Sequence, residues 1–325
     1  MRSTMPSAAA VSSCPAQMCG PRVKVLRPPL IVHHMAALDD MAVPQNSLEA
    51  IAACLAAGAA VVELDITALA DDDYLLVHDA VLESETSGRG PVAACTVAQA
   101  RLLTTGGFRR ASAHRVPLLS EAVKLLSAQP GATQLQLDFK NEEPFSDDEP
   151  LRRLIALIEP LGPRVLVSTG ADWQLRRLRR LAPWLALGFD PMGYLDWEPA
   201  GRQRDPRDHP KRQGAYGYYD DHRFAAMPGW STADYLADRC ESLIALVPAV
   251  SAFYLRHTLI AQSLADGFNW AQALHERGIR LDAWTMDVTN PVAAANVPLL
   301  LAAGVDLFTT NTPRALAHLL NFQPS

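Results

Sequence analysis

The stretch VVELDITALADDDYLLVHD, residues 61–79, sets acids into an apolar run. Successive side chains of a strand point to opposite faces, so Val62 and Leu64 share one face while Glu63 and Asp65 share the other. The apolar face must meet a hydrophobic layer, which leaves both acids on the far side. The device recurs in LQLDFK, residues 135–140, where Gln136, Asp138 and Lys140 fall on one face. Strands that give one face to helices and gather acids on the other suit a closed barrel, whose active sites lie at the C-terminal strand ends.

Working outward, LIVHH, VVELDI, YLLVHD, LQLDFK, VLVST, LALGF, AFYLRH, LDAWTM and DLFTT are candidate strands, one more than an eight-stranded barrel holds. Helical patterns separate them. NSLEAIAACLAAG opens on an Asn/Ser cap, carries Glu49 in its first turn and stops at Gly58. In LSEAVKLLSAQPG, Ser120 is the expected cap and Pro130-Gly131 the stop. Alternating strands and helices predict a parallel sheet with outer helices. No GxGxxG loop follows the first strand, which favours a (β/α)8 TIM barrel over an open dinucleotide-binding sheet.

Residues 1–24, rich in Ser, Ala and Pro, read as a disordered tail, and 25–325 as one barrel domain. Residues 191–230 interrupt the pattern with Gly, Pro, Tyr, Trp and Arg, and a loop of that length in a compact domain is expected to form a lid or pocket wall or else a surface excursion. Apolar residues make up 49% of the chain and charged residues 20%, which excludes disorder throughout. The net charge of -6 and the lack of an aromatic-interleaved basic patch give no sign of nucleic-acid binding. RRLRR, residues 176–180, reads as a solvated helix face. No apolar run reaches the roughly 20 residues needed to cross a bilayer. The five cysteines form no CxxC pair, so reduced thiols in a cytoplasmic protein are expected, with export or lipid anchoring through Cys14 as the weaker alternative.

Two inward carboxylates so close repel, and an unpaired buried charge costs several kcal/mol. A hard divalent cation with oxygen ligands compensates them, as do salt bridges to an inward Lys or Arg. Asp138 adds a third acid and Lys140 a cation, which can meet a phosphate oxygen or simply pair with Asp138. His33 ends the first strand and His78 follows the acidic turn, and imidazoles flanking an acid cluster suit proton transfer between oxygens.

These residues resemble the glycerophosphodiester phosphodiesterase family, a (β/α)8 barrel of the phosphoinositide phospholipase C type, over residues 31–314. PQNSLEAI is similar to its P-E-N-T helix start, GAAVVELDI to G-A-D-x-I-E-x-D-V, VHDAVLESETSGRGPV to its His-Asp segment and VPLLSEAV to I-P-T-L-E-E-V. LQLDFK is similar to the strand ending E-x-K, AWTMD to V-W-T-V-N and GVDLFTTNTP to G-V-D-x-x-x-T-D-x-P. The resemblance implies a metal-dependent hydrolase of glycerophosphodiesters or related small or lysolipid phosphodiesters. It implies Mg²⁺ or Ca²⁺ on Glu63, Asp65 and Asp138, His33 and His78 as general base and acid, Lys140 on the phosphate and Trp284 lining the pocket.

Some positions depart from the family. His33-His34-Met35 stands for His-Arg-Gly, which puts His34 in the phosphate-binding place of the arginine. Asp138 stands for glutamate and Asn311 for the aspartate of T-D-x-P. A register shifted by one residue makes His34 the catalytic histidine. His33 is preferred because IVH reproduces the apolar lead-in. A barrel that binds a phosphorylated ligand without turnover, and a lyase releasing a cyclic phosphate, stay open.

Overall fold

The computed structural model describes residues 28–39, 42–107, 112–129, 131–199, 201, 204 and 208–321. The expected tail at 1–24 and Cys14 lie outside them. All nine candidate segments contain strands: β1 (Leu30–His33), β2 (Val61–Ala68), β3 (Tyr74–Leu75), β4 (Gln134–Phe139), β5 (Val165–Thr169), β6 (Ala186–Phe189), β7 (Ala252–Arg256), β8 (Arg280–Trp284) and β9 (Leu307–Thr310). Eight pair in parallel in the order β1-β9-β8-β7-β6-β5-β4-β2, and β1 pairs with β2 to close the barrel. The surplus candidate is β3, which pairs antiparallel with the end of β2 through Thr67–Leu75 and Ala68–Tyr74.

The helices are α1 (Leu48–Ala56), α2 (Val97–Ala100), α3 (Leu119–Ser127), α4 (Glu149–Ile158), α5 (Asp172–Leu181), α6 (Thr232–Leu246), α7 (His257–Ala265), α8 (Trp270–His275), α9 (Pro291–Ala303) and α10 (Pro313–Asn321). Ser47 caps α1 by accepting from the Ala50 amide, and Gly58 follows at φ +73°. The cap of α3 is Leu118, not Ser120; Glu121 supplies the carboxylate that accepts the Leu118 amide. The RRLRR face lies on α5, where Arg177 and Arg180 pair with Asp148. Among the described residues no helix is long and apolar enough to cross a membrane, and Cys54, Cys95 and Cys240 are free and buried.

The main core lies between barrel and helices and takes the outward residues Val62, Leu64 and Ile66 of β2 with Leu135 and Leu137 of β4. Inside the barrel, Val32, Val61 and Leu307 form an apolar floor. Registers carry one inward face around the sheet: Asp65 opposite Asp138, Asp138 opposite Ser168, Ser168 opposite Gly188. It continues through Tyr254 opposite Asp282 and Arg256 opposite Trp284. A Cβ at Gly188 would collide with Tyr254, so this glycine makes room for the ring that fills the barrel. The connection from β3 to α3 has its own small core around Leu75, Val77, Leu82 and Val92.

The described residues of segment 191–230 form short 3-10 turns and isolated bridges, Asp196 with Tyr219 and Gln213 with Tyr219. Its Asp220 is buried and accepts from Tyr235 and from Arg239 Nε, each at 2.5 Å, both donors lying on α6. Tyr216 stacks on Tyr235 with centroids 4.1 Å apart.

Candidate active site

Glu63 and Asp65 on β2 and Asp138 on the adjacent β4 present oxygens within 4.8 Å of one another. Glu63 and Asp65 are 2% and 0% exposed. Lys140 Nζ lies 3.1 Å from Asp65 Oδ1 and 2.5 Å from Asp138 Oδ2. The structural pairing and the acid cluster therefore coexist. Lys140 is one cation facing three carboxyl groups. Glu63 Oε2 accepts the Met35 amide at 2.8 Å, while Oε1 is buried without a hydrogen-bond partner. Desolvation, then repulsion from Asp65 and Asp138, raises the Glu63 pKa well above the usual carboxylate range. Burial alone would lower the Lys140 pKa, but Asp138, Asp65 and Glu63 together raise it. An orphaned buried oxygen in an all-oxygen cluster of three carboxyl groups with a single cation fits a hard divalent cation.

His33, expected at the acids, lies on the other face of β1. His33 is in register with Val62 and Thr310, and Val62 faces the outer core. Its ring therefore points away from the acids. Nδ1 bonds the Ala37 carbonyl at 2.9 Å, and Cys54 Sγ of α1 lies 3.7 Å away. Burial pulls the His33 pKa down, opposed by the hydrogen bond to Ala37. His34, one residue on, is the imidazole at the acids, with Nε2 4.0 Å from Glu63 Oε2. Its Nδ1 bonds Asn311 Oδ1 at 2.9 Å. Met35 and Ala36, which follow, take φ +50° and +56°, so the turn that carries His34 inward is left-handed without a glycine.

His78 lies three residues beyond β3 with half its side chain exposed, and Nδ1 is 2.9 Å from Asp79 Oδ1. Glu85 Oε2 holds the segment by accepting from the His78 and Asp79 amides at 2.7 and 3.0 Å. The hydrogen bond from His78 chiefly lowers the Asp79 pKa, and Lys140 adds to the shift, which puts this pair within electrostatic reach of the acid cluster.

Trp284, inward at the end of β8, has the Arg256 guanidinium 5.4 Å from its ring centroid. Segment 191–230 reaches this point, since Glu198 pairs with Arg256 and Asp196 Oδ2 lies 3.7 Å from it. Desolvation pushes the Asp190 pKa at the end of β6 up to about 7, and Asp138 adds repulsion. The sequence reading missed Asn46, Asp190 and Arg256. Counting by twos to the end of β7 reaches Arg256, whereas Asn46, whose Nδ2 donates to Asp65 Oδ2 at 3.3 Å, hides in a turn at φ +54°.

Residues 39–190 match the Glycerophosphoryl diester phosphodiesterase family. That match spans just under half of the chain and takes in Glu63, Asp65, Asp138 and Lys140. A glycerophosphodiester phosphodiesterase of Caldanaerobacter subterraneus is 24% identical over 162 residues, which cover 49% of this chain and 65% of that protein, just under two thirds of its length. Among solved structures, a glycerophosphodiester phosphodiesterase from Parabacteroides distasonis superposes with a TM-score of 0.63 at 16% identity, covering 90% of this chain and 97% of that one. An Oleispira antarctica phosphodiesterase, solved in complex with the product sn-glycerol-3-phosphate, gives 0.59 at 16% identity over 90% and 97%. These superpositions show the barrel fold that the chain shares with both structures.

Proposed function

We propose that the protein is a phosphodiester hydrolase of glycerophosphodiesters or related small or lysolipid diesters, using Mg²⁺ or Ca²⁺ held by Glu63, Asp65 and Asp138. The observation that carries this reading is the buried, unpartnered Glu63 Oε1 in a three-carboxylate cluster beside His34 Nε2. The substrate class draws on the names of the Caldanaerobacter relative and of the product-bound Oleispira protein. Held by these three carboxylates, a cation would supply Lewis-acid withdrawal of charge from the phosphoryl oxygens.

The side chains divide the remaining work. Lys140 offers an ammonium to the phosphate at the edge of the cluster. His34 takes the proton of the attacking oxygen, from water or a neighbouring substrate hydroxyl, and replaces His33 in that role. His78, backed by Asp79, returns a proton to the departing alkoxide. Trp284 lines the pocket wall on the far side, with Arg256 beside it. Met35 occupies the place of the family's arginine in the shifted register, so Lys140 is left as the cation at the cluster.

Incubation with glycerophosphocholine and Mg²⁺ or Ca²⁺ should release a phosphomonoester, with activity lost in EDTA and in Glu63→Gln. The same cations should raise the melting temperature of the wild type but not of Glu63→Gln. This shift shrinks as pH falls, because proton and cation compete for Glu63, whose pKa is raised. Phosphorus NMR in ¹⁸O-labelled water separates hydrolysis from release of a cyclic phosphate. Cation binding with no diester turned over would sink the hydrolase reading and leave a ligand-binding barrel.

A further inference from the structure

Behind His34 runs a chain of polar contacts with no role so far. His34 Nδ1 meets Asn311 Oδ1 at 2.9 Å, and Gln45 Nε2 donates to the same oxygen at 2.7 Å. Asn311 Nδ2 donates to Asp287 Oδ2 at 2.9 Å, and its backbone amide to Asp287 Oδ1 at 2.7 Å. Thr310 Oγ1 donates to Asp287 Oδ1 at 3.1 Å. An ionised carboxylate only accepts hydrogen bonds, so the Asn311 NH₂ must face Asp287 and its carbonyl oxygen must face His34. That oxygen also only accepts, so His34 must carry its proton on Nδ1. The lone pair is then on Nε2, the nitrogen on the acid-cluster side.

We infer that Asp287 and Asn311 are positioning residues that fix the His34 tautomer, with Asp287 orienting the Asn311 amide and the amide oxygen orienting the imidazole. Both act through His34 and not on the reacting atoms. The inference rests on the proposed role of His34 as base, and it explains two departures of the sequence as one. AWTMD and TTNTP carry acid and amide in the reverse order from V-W-T-V-N and T-D-x-P. Either order keeps one acceptor-only group against one amide and leaves an oxygen for Nδ1–H.

The single substitutions break this logic in different ways. In Asn311→Asp two carboxylates face each other across the present 2.9 Å contact. In Asp287→Asn the new amide oxygen is held by the Asn311 backbone and Thr310, so its NH₂ faces Asn311. The Asn311 amide must then turn over, which presents NH₂ to His34 and moves the imidazole proton to Nε2. The exchanged double variant Asp287→Asn/Asn311→Asp restores a consistent chain.

Two measurements test this. On glycerophosphocholine each single variant should lose about 10- to 100-fold in kcat with KM little changed, and the double variant should recover to within about threefold of wild type. ¹⁵N NMR at about pH 8.5, where an ordinary imidazole is neutral, should show the His34 proton on Nδ1 in wild type and on Nε2 in Asp287→Asn. His34→Gln assigns the signal. A wild-type spectrum with the proton on Nε2 overturns the inference even if a variant fails to fold. So does a folded double variant whose loss is the product of the two single losses. If wild type turns over no diester, the hydrolase reading fails while the spectrum still decides the tautomer.

Discussion

Two adjacent histidines at the end of β1 face opposite layers, and a one-residue slip in a strand exchanges them. His34→Gln should lower kcat on glycerophosphodiesters about 10²- to 10⁴-fold, the usual worth of an acid–base group. His33→Gln should keep activity within a few-fold while losing stability, because it disturbs the buried contact with Ala37 and Cys54. Steady-state kinetics on the pair decide the register, and the reverse result would reinstate His33. His78 has its own signature. If it protonates the leaving group, His78→Ala should be severely impaired with an alkoxide leaving group, yet close to wild type with a p-nitrophenyl phosphodiester. Equal impairment on both substrates would rule out that role. The residue types were legible in the chain, but the apolar lead-in IVH favoured the member of the pair whose ring the register turns away from the acids. The pairing of His33 with outward-facing Val62 and the 4.0 Å approach of His34 Nε2 to Glu63 separate them.

At the scale of elements, the strands were legible because runs of Val, Leu and Ile with turn residues between them mark strands however they pair. Pairing was not legible, so the surplus strand showed only in the structure, where β3 folds back antiparallel on β2. The segment 191–230 has the opposite character: little periodicity, but firm attachment through a few side chains. Arg239 is 5% exposed and Asp220 3%, so Arg239→Leu leaves a buried carboxylate without its cation. A loss of about 3–5 kcal/mol in urea unfolding is expected. A loss under about 1 kcal/mol would mean that the segment is dispensable to folding.

At the scale of the whole molecule, the barrel interior carries a charge that its own stability does not favour. Asp282 is fully buried, accepts from Thr309 at 2.9 Å and leaves Oδ1 unpartnered. Burial pushes its pKa up to about 7, while the Thr309 bond opposes the shift. With the folded pKa raised, the associated stability is complete below the unfolded value near 4 and is lost as pH rises through 7. Asp282→Asn should therefore gain on wild type by roughly 2 kcal/mol between pH 5 and pH 8. Urea unfolding at the two pH values checks this, and a gain independent of pH would assign the effect to packing instead.

By itself the sequence determined the strands, helices such as α1 and α3, the parallel α/β class and the inward face of β2 and β4. These depend on local periodicity, which survives without knowledge of partners. It also marked Glu63, Asp65, Asp138 and Lys140, because an acid inside an apolar strand is a local anomaly. Tertiary structure alone decided which histidine turns to the acids, which strand stays outside the barrel, and that Asp287, Asn311 and His34 meet. The physical reason is range. Side-chain direction follows from a residue's neighbours in the chain, whereas register, closure and hydrogen-bond chains join residues as far apart as 34 and 311.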